Sequence, residues 1–164
     1  MEQHLYKKIL VPLDGSKLAE YALDHAKTIA GGCSVPEVIL FRVVEPNPAA
    51  SEALSEGAGM YEELNDQMQQ LAEKYIAAMT LRLRQESGID IHSAVAYGYA
   101  ANEILEYAAK NHVDLIIMTS HGRSGISRWL FGSVAERVSQ HSTIPVLIVA
   151  PAGCRDENPA EPKK

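Results

Sequence analysis

Three glycines, two arginines and a histidine crowd the stretch between Thr119 and Ser133: His121, Gly122, Arg123, Gly125, Arg128 and Gly132. These residue types together suit an anion. Glycine has no Cβ, so the main chain can come close to a phosphate. Residues 114–118 before it (Asp114, Leu115, Ile116, Ile117, Met118) form a short apolar run, the signature of a buried strand. Residues 134–138 after it favour a helix. A strand that feeds a glycine-rich loop and then a helix leaves bare N–H groups at the helix start, where anions bind. Ser133 and Glu136 fit the Ser-x-x-Glu capping box, which predicts Ser133 as the N-cap. The spacing is neither that of a P-loop nor the Gly-x-Gly-x-x-Gly dinucleotide fingerprint. Loops of this composition also occur where nothing binds, so the rest of the chain must be weighed with it.

Asp14 is the second candidate. Ile9, Leu10 and Val11 read as a central parallel strand that Pro12 ends, which leaves Asp14 at its carboxyl end. Ligands of open α/β sheets bind at carboxyl ends of strands. Taken alone, Asp14 equally suits a turn.

The elements that position these residues follow in order. Leu18, Tyr21, Ala22, Ala26 and Ile29 recur on a helical period, with Gly31 and Gly32 expected to close the helix. Residues 38–44 are rich in strand formers. Residues 45–59, with Pro46 and Pro48, read as a long surface loop over the same carboxyl edge, a lid or a connector. Tyr61, Leu64, Met68, Leu71, Tyr75, Met79 and Leu83 are spaced by three and four and predict one buried helical stripe. Residues 89–95 alternate and suit an edge strand. A helix with Ile104, Leu105 and Ala108 follows, with Asn111 expected in the left-handed region at its end. Pro145, Val146, Leu147, Ile148 and Val149 are the last strand. The order β-α-β-α-β-α-β-α-β with right-handed crossovers gives an α/β, doubly wound, five-stranded parallel sheet, a Rossmann-like three-layer α/β/α sandwich. Residues 1–150 read as one domain, and residues 151–164 as a disordered tail rich in Pro and charge.

Composition narrows the function. The chain has 164 residues, 46% of them apolar, and a net charge of −6. That balance argues against a general nucleic-acid or anionic-membrane surface. No apolar run approaches the ~20 residues of a membrane span, and the N-terminus lacks the apolar region of a signal peptide. The two cysteines, Cys33 and Cys154, form no motif and read as free thiols of a cytoplasmic protein. The six histidines make no close-spaced metal pair with a cysteine or acid.

Thr119, Gly122, Gly132 and Ser133 resemble the nucleotide loop of the universal stress protein family, Gly-x2-Gly-x9-Gly-Ser/Thr, with Thr119 standing where that pattern has its first glycine. Pro12 and Asp14 match the end of that family's first strand. The resemblance covers about Lys7 to Val149. It implies the strand order 3-2-1-4-5, which places the topological switch between the strands carrying Asp14 and the glycine loop. It also implies ATP or another adenine nucleotide as ligand. Pro12, Leu13, Asp14 and Val43 would form the nucleoside end and Met118 and Thr119 would border it. His121, Gly122, Arg123, Gly132, Ser133 and Val134 would lie at the phosphates.

Other α/β readings fail on residues. A phosphoacceptor receiver would need an Asp at the end of strand three, where Ala96, Tyr97 and Gly98 stand. A flavodoxin would need a longer loop after strand one. A serine hydrolase would need Gly-x-Ser-x-Gly. Phosphoryl transfer calls for a positioned base and a held metal, and the loop offers no carboxylate pair. A regulatory nucleotide-binding protein is therefore the expectation. Its alternatives are a slow ATPase with Mg²⁺ held through phosphates and water, and a nucleotide-free interaction module, which Thr119 keeps open. An uncharged edge strand from Pro145 to Val149 is a liability in water. Antiparallel pairing with a second copy, as a homodimer, is the expected remedy, and the resembled family commonly pairs this way.

Overall fold

Apolar runs become buried parallel strands only where both faces of the sheet are covered. In the computed structural model, which describes residues 5–46, 58–120 and 132–150, there are five strands, β1 (Lys8–Pro12), β2 (Glu37–Val44), β3 (Ile91–Tyr97), β4 (Leu115–Thr119) and β5 (Val146–Val149), and the central β1, β2 and β4 meet that condition. All pairs are parallel and the order is β3-β2-β1-β4-β5. The helices are α1 (Lys17–Gly32), α2 (Ala58–Ser87), α3 (Ala100–Lys110) and α4 (Ser133–His141). This is the expected doubly wound sandwich.

The two-residue period of each strand divides the core in two. Ile9, Val11, Val38, Leu40, Leu115 and Ile117 pack against Ala22, Leu23 and Ala26 of α1 and Ile76 and Leu83 of α2. Leu10, Ile39, Phe41, Val43, Ile116 and Met118 pack against Ile104 and Ala108 of α3 and Ala135 and Val138 of α4. Pro12 takes the last position of β1, opposite Phe41, so its missing N–H interrupts no ladder. Asp114 ties the starts of β1 and β4, its Oδ2 accepting from the N–H groups of Lys7 at 2.8 Å and Lys8 at 2.9 Å.

Helix ends depart from expectation for one shared reason. Gly31 and Gly32 lie inside α1, and the left-handed residue is Ser34 (φ 51°). Asn111 is the C-cap of α3 at φ −101°, and the left-handed residue is His112 (φ 54°). In each case the next residue is a buried valine whose N–H reaches back into the last turn, Val35 to the Ala30 carbonyl at 2.9 Å and Val113 to the Ala108 carbonyl at 3.0 Å. This is the Schellman closure with its hydrophobic contact. Burial of the valine fixes which residue turns left-handed, at the cost of a side chain in a region that favours glycine.

The apolar stripe of α2 also differs. Leu64, Met68 and Leu71 are exposed, Leu71 by 62%, while the buried face is Ala72, Ile76, Thr80 and Leu83. Tyr75 and Met79 pack partly on the core, and the Tyr61 side chain lies outside the described residues. The 30-residue helix is about 45 Å long at 1.5 Å per residue. β2, at eight residues, spans about 26 Å. The first half of α2 therefore overhangs the carboxyl edge of the sheet. Thr80 can be buried because its hydroxyl donates to the Ile76 carbonyl at 2.8 Å. Among the described residues no helix is long and apolar enough to cross a membrane. The expected loop over the carboxyl edge and the expected tail lie largely or wholly outside the described residues.

The packing predicts that Ile76→Ala lowers unfolding free energy by about 2–5 kcal/mol, whereas Leu71→Gln changes it by no more than about 0.5 kcal/mol. Urea titrations compare the two. Similar losses would mean that the first half of α2 is packed after all.

Candidate functional site

At the carboxyl edge of the sheet a cavity of about 320 Å³ opens where β1 adjoins β4. It is lined by Pro12, Leu13, Asp14, Val43, Met118, Thr119, Gly132, Ser133 and Val134, so every described site candidate reaches the same crevice. His121, Gly122 and Arg123 lie outside the described residues. Further walls come from Phe41, Arg42, Glu45, Met68, Ala100, Ile104 and Ser120, none of which the sequence marks as a site residue. For Arg42 a signal was present: it is a charged residue in a strand that is otherwise apolar from Val38 to Val44.

The exit from β1 is tightly held. The Leu13 N–H continues the ladder to the Phe41 carbonyl at 2.8 Å. Asp14 Oδ1 accepts from the Ser16 N–H at 2.9 Å, closing a turn in which Gly15 takes φ 85°, where a Cβ is unfavourable. Ser16 is the N-cap of α1, its Oγ accepting from the Ala19 N–H at 3.1 Å. Across the crevice, Glu45 Oε1 accepts from the Ala100 N–H at 3.0 Å and so caps α3, whose own N-cap Tyr99 makes no side-chain bond.

The start of α4 corrects the expected capping box. The N-cap is Gly132, not Ser133, and so has no side chain with which to cap the helix. The Gly132 N–H donates to the Ser120 carbonyl at 2.7 Å, which pins Gly132 beside the end of β4 and moves the first helical residue to Ser133. The first intrahelical bond runs from the Glu136 N–H to the Gly132 carbonyl. The N–H groups of Ser133, Val134 and Ala135 precede it and have no acceptor within the helix. All three residues border the cavity. Gly132 spends its own N–H on Ser120, so what it offers an anion is close approach. Strand alternation places Met118 with Val43 on the α3–α4 side and Thr119 on the α1–α2 side.

On the α1–α2 side of the sheet, α1 and α2 share a small polar network. The Tyr75 hydroxyl donates to Glu20 Oε1 at 3.4 Å, and Arg82 Nη1 lies 3.6 Å from Glu20 Oε2. Burial pushes the Tyr75 phenol up to about 12; the charges of Glu20 and Asp14 act the same way, and Arg42 opposes them. Apolar walls, one carboxylate at a strand end and a row of helix-start N–H groups together suit a ligand with a flat apolar part, hydroxyls and an anionic end. Among the described residues no cluster of three or more His, Cys, Asp or Glu could hold a metal ion.

The model of the universal stress protein family matches residues 5–150. Universal stress protein MJ0531 of Methanocaldococcus jannaschii is 38% identical over 147 residues, covering 90% of this chain and 84% of the relative. The solved structure of MJ0577 is 31% identical with a TM-score of 0.74 and covers 90% of this chain and 97% of that one. MJ0577 is likewise a universal stress protein of M. jannaschii. Two structures share the fold at lower identity: a universal stress protein in complex with cAMP (23%, TM-score 0.58) and one from Arabidopsis thaliana with AMP bound (14%, TM-score 0.55). They cover 88% and 92% of this chain and 97% and 99% of their own.

The Tyr75 phenol carries a pH prediction. Its folded value lies near 12 against an ordinary 10, so between these values the folded state keeps a proton that the unfolded chain releases. The stabilisation is complete below pH 10 and is lost as pH rises towards 12. Unfolding free energy should therefore fall more steeply over this window in the wild type than in Tyr75→Phe. Parallel pH profiles of the two proteins would contradict it.

Proposed function

The chain belongs to the universal stress protein family, and from that premise we propose that its crevice binds an adenine nucleotide and that the protein acts as a regulatory, stress-response module. The observation that carries this reading is the convergence of Asp14 and the start of α4 on one cavity. Pro12, Leu13, Asp14 and Val43 form the nucleoside end, with Asp14 accepting from ribose hydroxyls. Met118 and Thr119 border it. Gly132, Ser133 and Val134, with His121, Gly122 and Arg123 of the loop, meet the phosphates. The relatives solved with cAMP and AMP support an adenine nucleotide as the ligand. The placement of Thr119 on the face away from Val43 leaves the base end clear of its side chain. Mg²⁺, where present, is held through the phosphates. The cytoplasm suits this reading, since it supplies the nucleotide and keeps the exposed thiol of Cys33 reduced.

Self-association at β5 is part of the proposal. Val146, Leu147 and Ile148 are half-buried on an uncharged edge strand, and a second copy paired across a two-fold axis would cover them.

Calorimetric titration with ATP, ADP and AMP tests the ligand. Heat of binding is expected, and its absence at millimolar nucleotide would remove the reading; steady turnover of ATP with Mg²⁺ would make the protein a slow ATPase instead. Gly132→Val suits a locus test, because φ −61° and ψ 149° accept a side chain. It should abolish nucleotide binding while the circular dichroism spectrum stays unchanged. For the edge, Leu147→Lys should convert dimers to monomers in light scattering, and a wild type that is monomeric at high concentration would refute the pairing.

A further inference from the structure

Arg42 is buried, with 8% of its surface exposed. Taking a guanidinium out of water is costly unless its donors are used. Arg42 Nη1 donates to the Leu13 carbonyl at 3.3 Å, and the Leu13 N–H donates to the Phe41 carbonyl at 2.8 Å. Both polar groups of the Leu13 backbone are thus held by neighbouring residues of β2. The next residue is Asp14, whose Oδ1 is fixed by the Ser16 N–H, and Ser16 in turn caps α1. A run of hydrogen bonds therefore passes from Arg42 through Leu13 and the Asp14 turn to the first turn of α1. Arg42, Leu13 and Asp14 all line the cavity. The charges of Arg42 and Asp14 also act with opposite sign on the Tyr75 phenol, which places them in one electrostatic neighbourhood.

We propose that Arg42 is a positioning residue: by holding the Leu13 peptide it orients the Asp14 carboxylate toward the ribose, and so makes the crevice selective for ribonucleotides over 2′-deoxyribonucleotides. This rests on the nucleotide reading above. A hydroxyl that donates to a carboxylate makes a charge-assisted bond, worth roughly tenfold or more in affinity when well aligned. Alignment depends on the peptide that carries Asp14. Without the guanidinium, the Leu13 carbonyl loses this donor and the peptide that carries Asp14 is less firmly held. The phosphate contacts come from the start of α4 and do not pass through this peptide.

The test is calorimetry with ADP and 2′-deoxy-ADP on the wild type, Arg42→Met, Asp14→Ala and the double variant. The wild type should prefer ADP about tenfold or more. Arg42→Met should weaken ADP more than 2′-deoxy-ADP and so abolish the preference. Asp14→Ala should likewise abolish the preference, and combining the two should lower the preference no further. A merely structural role would weaken both nucleotides equally, and that result overturns the proposal, as does a wild type that binds the two alike. If Arg42→Met fails to fold, Arg42→Gln, whose amide stops short of the Leu13 carbonyl, should show the same loss of preference; an unchanged preference in it also overturns the proposal. A wild type that binds neither nucleotide overturns the nucleotide reading itself.

Discussion

β1 pairs with β2 on one side and with β4 on the other, and most of the structure follows from that placement. The chain leaving β1 turns to the face covered by α1 and α2, and α4 lies on the opposite face. Among the described residues no connection crosses the gap between the two strand ends. A crevice is therefore an obligatory product of the winding. Of the residues at its mouth, Asp14 follows directly on the β1 ladder, and Ser133 and Val134 are held beside the end of β4 by the bond from the Gly132 N–H to the Ser120 carbonyl.

The order of elements could be read from hydrophobic periodicity, because parallel strands buried on both faces announce themselves as unbroken apolar runs such as Ile9, Leu10 and Val11. The strand order needed the family resemblance, since periodicity says nothing about which strands are neighbours. Helix ends were misplaced where tertiary burial overrides local preference. The sequence offered Gly31, Gly32 and Asn111, and the fold chose Ser34 and His112 because Val35 and Val113 had to be inside. The capping box at Ser133 failed for a related reason: the Ser120 carbonyl, a partner twelve residues away in sequence, takes the Gly132 N–H. Arg42 was overlooked because its meaning lies in a bond to Leu13, 29 residues distant.

Charge plays a subordinate part in holding the frame. Lys27 bridges to Glu86 at 3.2 Å, and Arg82 links Glu20 on α1 with Glu86 on its own helix. These pairs are partly exposed, and such bridges contribute little individually. They tie α1 to the half of α2 already anchored by Ile76 and Leu83. The apolar contacts set the position of the helix, and the charges sit where those contacts put them.

The overhang of α2 gives one helix two stabilities. Residues 72–87 are fastened to the core and can open only when much of that core opens. Residues 62–71 have little buried side-chain surface, so their helical hydrogen bonds are held largely by propensity and can fray at low free energy. Met68 belongs to the fraying half, yet it forms part of the crevice wall. The cheapest local motion on this side of the molecule therefore widens the crevice, and the sheet that supports Asp14 and Arg42 need not move for it to happen.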